Sequence, residues 1–189
     1  MATALFITEQ YIKDNSVIDE NVDMHYITTT INMCQKMYIK HILGTALFDE
    51  LQTQINAGTT TALNVTLLDN YIQDCLMYYV LHEGISVFMY KITNKSILKK
   101  NGESSQTIDN EEVAFLRDNY KDKAEYFAEL ITKYLVENSD SYPLFLSPGD
   151  GYDTIHPNHS NYQTGWALGN TKPKIGGLEV ASSKYKPFI

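Results

Sequence analysis

The sequence lacks most of the features that assign a protein to a specialised class. Only two cysteines, Cys34 and Cys75, occur among its 189 residues. Both lie in apolar helical patterns, which argues against a disulfide framework and is typical of a reducing compartment. Basic residues are scarce, since 15 stand against 23 acidic ones and give a net charge of −8. This charge argues against a surface that grips nucleic-acid phosphates. The opening residues, MATALFI, contain no Lys or Arg, so we expect neither a signal peptide nor a membrane span.

Proline is absent from most of the chain. None of the five prolines precedes Pro143, and six of the ten glycines also follow that position. Proline and glycine at this density do not allow a helix of useful length. The composition therefore predicts two parts: a helical body, residues 1–142, and an irregular C-terminal arm, residues 143–189.

Apolar residues at spacings of three or four predict five helices in the body. Their expected ranges are 8–14, 21–43, 46–57, 64–92 and 110–138. Thr8 and Asp109 are suited to begin helices, and Gly44 and Gly58 are suited to end them. The helix over 64–92 is apolar nearly all round, so it is expected at the centre of a bundle, and Gly84 within it indicates a close helix crossing or a break. The predicted fold is an all-α bundle of four to five helices, with a polar linker over 93–108 and an extended arm.

The arm is rich in aromatic residues, which is unusual for a solvated linker. Tyr and Trp are common anchors of protein interfaces. We therefore predict that the arm docks on a partner, although packing of the arm against its own bundle stays open. The predicted docking residues are Tyr142, Phe145, Tyr152, Trp166, Tyr185 and Phe188.

One stretch of the arm, GDGYDTIHPNH, has the residue types of a metal site. Asp150, Asp153, His156 and His159 could together bind a divalent ion. Pro157 between the histidines prevents the helical spacing that such ligands normally use, and we favour a solvated or partner-ordered loop.

Catalytic signatures are also missing from the body. His82 and Glu83 are adjacent but lack a second histidine four residues on, so we predict an internal, hydrogen-bonded histidine. Cys34 and Cys75 lie on buried helix stripes, where cysteine behaves as a small hydrophobe. We expect no enzyme activity, no metal and no cofactor.

Two stretches resemble a known family. LFITEQYIKDNSVIDENVDMHYITTTINMCQKMYIKHILGTALFDEL combines a short capped helix, a polar turn and a long helix that ends at glycine. LRDNYKDKAEYFAELITKYLVENSDSYPLF combines a helix end with Tyr-Pro. This pattern, over residues 5–146, resembles the adaptor or ring proteins of phage head–tail connectors, and most of all the ring proteins of crAss-like phages.

The resemblance implies a structural protein, made in the host cytoplasm, that forms a homo-oligomeric ring at the head–tail junction of the virion. Such rings are usually twelvefold, lie under the portal protein, lengthen the DNA channel and dock neighbouring ring or tail proteins. An acidic body would let DNA pass without specific binding. Two alternatives stay open: a monomeric helical regulatory module that binds one protein partner, and a small metal-dependent enzyme.

Overall fold

The computed structural model describes residues 3–92, 97–99, 109–149 and 151–157. Six helices occur within these ranges. They are α1 (Glu9–Asn15), α2 (Met24–Cys34, a π-helical turn Gln35–Ile39, and Lys40–Leu43), α3 (Thr45–Ala57), α4 (Ala62–Leu67, a π-helical turn Leu68–Ile72, and Gln73–Met89), α5 (Asn110–Glu137) and α6 (Pro143–Leu146). Two strands of three residues, β1 (Tyr90–Ile92) and β2 (Ile97–Lys99), form an antiparallel pair. The predicted all-α fold is confirmed. No helix in the described ranges combines the length and apolar character needed to cross a membrane.

The helix boundaries are set by local chemistry. The Thr8 hydroxyl accepts the Tyr11 N–H at 3.1 Å, and this bond satisfies one of the free donors at the start of α1. The Asp23 carboxylate accepts the His25 N–H at 2.9 Å, so α2 begins at Met24, three residues later than the sequence predicts. Asp109 precedes the first residue of α5, as predicted.

Helix α4 lies at the centre of the bundle, between α2 and α5. Stacked aromatic rings mark both contacts. Tyr79 stacks on Tyr38 of α2 with ring centroids 3.9 Å apart, and Tyr78 stacks on Phe127 of α5 at 5.4 Å. Aromatic pairs of this kind add to the burial of apolar area. The prediction of a central helix is therefore confirmed.

The helix also passes through Gly84 without a break. A Cβ atom on Gly84 would lie 2.6 Å from the Phe88 ring of the same helix, so that ring occupies the space a side chain would need. The helix then ends at Met89 rather than near residue 92, because Tyr90 is extended and begins β1. Strand β2 falls within the segment that the sequence predicts as a linker.

The first residues of the chain are held by two glutamine side chains. Gln35, which is fully buried, accepts the Phe6 N–H at 2.8 Å and donates to the Ala4 carbonyl at 2.9 Å. Gln52 of α3 accepts the Ala4 N–H and donates to the same carbonyl, both at 2.7 Å. The backbone before α1 thereby obtains the partners that a buried segment requires.

Candidate functional site

The start of the arm is fastened to the body at the junction of α2 and α3. The Thr45 N–H donates to the Ile155 carbonyl at 3.0 Å, and the Ile155 N–H donates to the Thr45 hydroxyl at 2.8 Å. Pro157 is buried against Gly44. We call these four residues the Gly44 corner.

Glycine is required at this corner for two reasons. Gly44 has φ +77° and ψ 166°, a combination that residues with a side chain rarely adopt. A Cβ atom there would also lie 2.7 Å from the Pro157 ring and 3.1 Å from the Ile155 carbonyl oxygen. The missing side chain therefore lets the two segments approach.

Two of the predicted docking residues belong to the core instead. Tyr142 is 2% exposed and Phe145 is fully buried. The Tyr142 hydroxyl donates to the Leu63 carbonyl at 3.0 Å, and its ring meets Tyr134 edge-on at 5.9 Å. Because neither side chain is available to a partner, we remove both from the docking set. The Tyr-Pro step was a sequence signal for this, since proline is favoured in the first turn of a helix and α6 begins there.

The remaining docking residues fall in two groups. The Tyr152 side chain is fully exposed. Trp166, Tyr185 and Phe188 lie outside the described residues. The body therefore extends to Pro157 rather than to residue 142, and the described residues between 143 and 157 belong to it and not to a separate arm.

The candidate metal ligands do not gather in the described part of the chain. Asp153 and His156 are both exposed, whereas Asp150 and His159 lie outside the described residues. No group of three His, Cys, Asp or Glu side chains in the described ranges could hold a metal ion. Pro157, next to His156, packs on Gly44 instead.

A polar cluster fastens α2, α4 and α5 to one another. His82 Nδ1 lies 2.8 Å from the Arg117 carbonyl oxygen, which can only accept, so this nitrogen carries the proton. The Tyr38 hydroxyl donates to Glu83 at 2.6 Å, and burial together with this bond raises the pKa of Tyr38. The predicted internal, hydrogen-bonded histidine is confirmed. Tyr38 and Ala114 line one groove beside this cluster, so the C-terminal half of α2 lies next to the start of α5.

The cysteines are core residues, as predicted. Cys34 and Cys75 are both fully buried. Burial, with a smaller contribution from Glu83, raises the pKa of the Cys34 thiol to about 12. Cys75 donates a weak bond to the Ala124 carbonyl at 3.6 Å, and burial raises its pKa as well. Since the thiolate is the nucleophilic form, neither cysteine is suited to nucleophilic chemistry.

One apolar surface was not predicted. Phe115 is 70% exposed and Leu116 36% exposed, in the second turn of α5. With Glu111 and Glu112 they line a shallow depression of about 470 Å³. We call these four residues the α5 patch. The sequence contains one sign of this patch, because Phe115 lies outside the apolar stripe that its periodicity predicts for α5.

Comparison with known proteins gives a family but no function. No curated protein matches the chain. No solved structure matches it either. One family of unknown function, DUF6712, matches residues 39–155. This match covers more than half of the chain and includes α3 to α6, together with Gly44, Thr45 and Ile155 of the Gly44 corner. The chain therefore belongs to the DUF6712 family.

Proposed function

We propose that this protein is a structural component of a phage particle. Copies of the chain would form a ring between the portal and the tail, lengthen the DNA channel and dock the neighbouring ring or tail protein. The proposal starts from the resemblance over residues 5–146. The capped α1, the long α2 that ends at Gly44, and the Tyr-Pro step after α5 are the features that carry this resemblance, and each has a defined place in the helical body.

The Gly44 corner is the observation that carries the proposal furthest. It fixes the chain at Pro157, so residues 158–189 leave every copy from the same point of the body. Those residues include Trp166, Tyr185 and Phe188, which have the chemistry of interface anchors. A fixed starting point suits an assembly in which equivalent arms must reach equivalent sites on a symmetric partner.

The charge distribution also supports a place beside DNA. Residues 158–189 contain four lysines and one glutamate, a net charge of +3. The whole chain carries −8, so residues 1–157 carry −11. An acidic body repels phosphates, and DNA would pass it without being held.

The test is quantitative mass spectrometry of purified particles of the phage that encodes the chain. We expect the copy number relative to the portal protein to be one, or a simple multiple of one. Tail proteins of known copy number in the same sample provide the internal calibration. Absence from mature particles would contradict the proposal and would favour the monomeric regulatory module.

A further inference from the structure

We infer that the α5 patch is a docking site for residues 184–189, KYKPFI, of the same chain. This inference concerns the isolated protein and does not depend on the proposed function. It rests on three observations: the composition of the patch, the composition of the segment, and the place where the chain is fastened to the body.

The α5 patch combines apolar area with negative charge. Phe115 is 70% exposed and Leu116 36% exposed, and both lie one turn after Glu111 and Glu112. An exposed phenylalanine beside a depression offers apolar area that burial would stabilise. Glu111 and Glu112 are also exposed, so a basic ligand can reach them.

The segment 184–189 has the complementary chemistry. Lys184 and Lys186 supply two positive charges, and Tyr185, Phe188 and Ile189 supply apolar side chains. It contains no acidic residue, whereas the body that it would meet is strongly acidic. Opposite charges set the register of such a contact, and aromatic burial stabilises it.

The point where the chain leaves the body is within reach of the patch. Tyr38 and Ala114 line a common groove, and Gly44 follows Tyr38 by six residues, or roughly 9 Å along the helix. Gly44 and the start of α5 are therefore on the order of 20 Å apart. The residues between Pro157 and Lys184 number 26, and a chain of that length spans up to about 85 Å when fully extended. The tether is thus long enough.

The same chain is favoured over a second copy. A tethered ligand that can reach its site binds at a millimolar effective concentration, far above that of a second copy in dilute solution. The loop before α2, residues 16–23, is a second acidic surface with exposed Val17, but it contains no aromatic residue.

The test is zero-length carbodiimide cross-linking of the full-length chain, which joins carboxylates and amines only where they touch. Equal amounts of ¹⁵N-labelled and unlabelled protein are mixed before the reaction. We expect peptides that join Lys184 or Lys186 to Glu111 or Glu112, with both halves carrying the same isotope label. Raising the salt concentration from 0.05 M to 0.5 M should lower their yield several-fold, because salt screens exposed charges.

Matched variants identify the apolar contribution. Phe115→Ser should lower the docking equilibrium constant by about tenfold, because the phenyl ring is the largest apolar group in the patch. Phe188→Ser should cause a similar fall without any change to the body. Val17→Ser is the control: Val17 is 81% exposed and lies beside Asp19 and Glu20, and this change should leave the cross-links at Glu111 and Glu112 unaltered.

Three outcomes would overturn the inference. Mixed-isotope cross-links would assign the patch to a second copy. Equal cross-linking of Lys184 and Lys186 to Asp19 and Glu20 would show attraction without a site. An unchanged yield in both phenylalanine variants, with circular dichroism showing intact helices, would remove the apolar contact.

Discussion

Replacing Gly44 by alanine tests whether the Gly44 corner requires glycine because two chain segments approach each other there, and not only because of the positive φ of Gly44. The backbone conformation of Gly44 is almost exclusive to glycine, and forcing alanine into it costs about 1–3 kcal/mol. The new Cβ atom would also lie 2.7 Å from the Pro157 ring, so the segment that contains Ile155 must move away. That movement breaks the two hydrogen bonds with Thr45, each worth about 1 kcal/mol. We expect Gly44→Ala to lower the free energy of unfolding by about 4 kcal/mol.

Gly58→Ala is the matched control. Gly58 ends α3 with φ +65° and ψ 26°, and no atom lies within 4 Å of the position that a Cβ atom would occupy. Only the left-handed backbone conformation is penalised there, by about 1–2 kcal/mol. The difference between the two variants, about 2–3 kcal/mol, therefore measures the approach of the arm to the corner.

Two measurements decide the matter. Urea unfolding followed by circular dichroism gives the free energies. Native-state hydrogen exchange then gives the protection of the Thr45 and Ile155 amides, which should fall in Gly44→Ala and be retained in Gly58→Ala. Equal destabilisation of both variants, with Thr45 and Ile155 still protected in Gly44→Ala, would refute the reasoning.

Three further predictions concern the body. Gln35→Leu should lower the free energy of unfolding by about 2–3 kcal/mol, since it leaves a buried backbone N–H without a partner. Gln73→Leu loses only a surface hydrogen bond and should change the free energy of unfolding by less than about 0.5 kcal/mol; urea unfolding compares the two variants. Removing residues 158–189 should lower the melting temperature by only about 2–4 °C, because it deletes only the docked segment 184–189. Removing residues 143–189 should lower it far more, because the longer truncation also deletes core side chains; thermal unfolding checks both. The Cys34 thiol has a folded pKa of about 12 against an ordinary value of 9.0, so its contribution to stability is complete below pH 9 and is lost as the pH rises towards 12. Urea unfolding at pH 8 and pH 10 should show this loss, and Cys34→Ala should show less of it.

Local rules account for the parts of the fold that the sequence predicts well. Thr8 and Asp109 precede their helices because a side-chain oxygen satisfies the free backbone donors of the first turn. Gly44 and Gly58 end theirs because each has a positive φ. The central position of α4 followed from its apolar circumference. Each of these features depends on residues that are neighbours in the sequence, so it can be predicted without knowing the tertiary structure.

The candidate site was predicted less well, because periodicity marks an apolar face without showing what covers it. Leu116 continues the apolar stripe of α5, yet it is partly exposed because the described neighbours bury other parts of that helix. Tyr142 and Phe145 have the composition of interface anchors, and they fill the core instead. In neither case does the residue type show whether the side chain is buried, because the positions of the other elements decide that.

The sequence by itself determined the helical class, the main helix boundaries, the inert cysteines and the charge contrast between body and arm. Each of these follows from spacing, capping chemistry or a sum of charges. The tertiary structure alone decided that Gln35 holds the start of the chain and that the chain is fastened to the body as far as Pro157. The hydrogen bonds among those contacts join residues that are 29 to 110 positions apart, and such pairings are set by the packing of whole helices rather than by any local pattern.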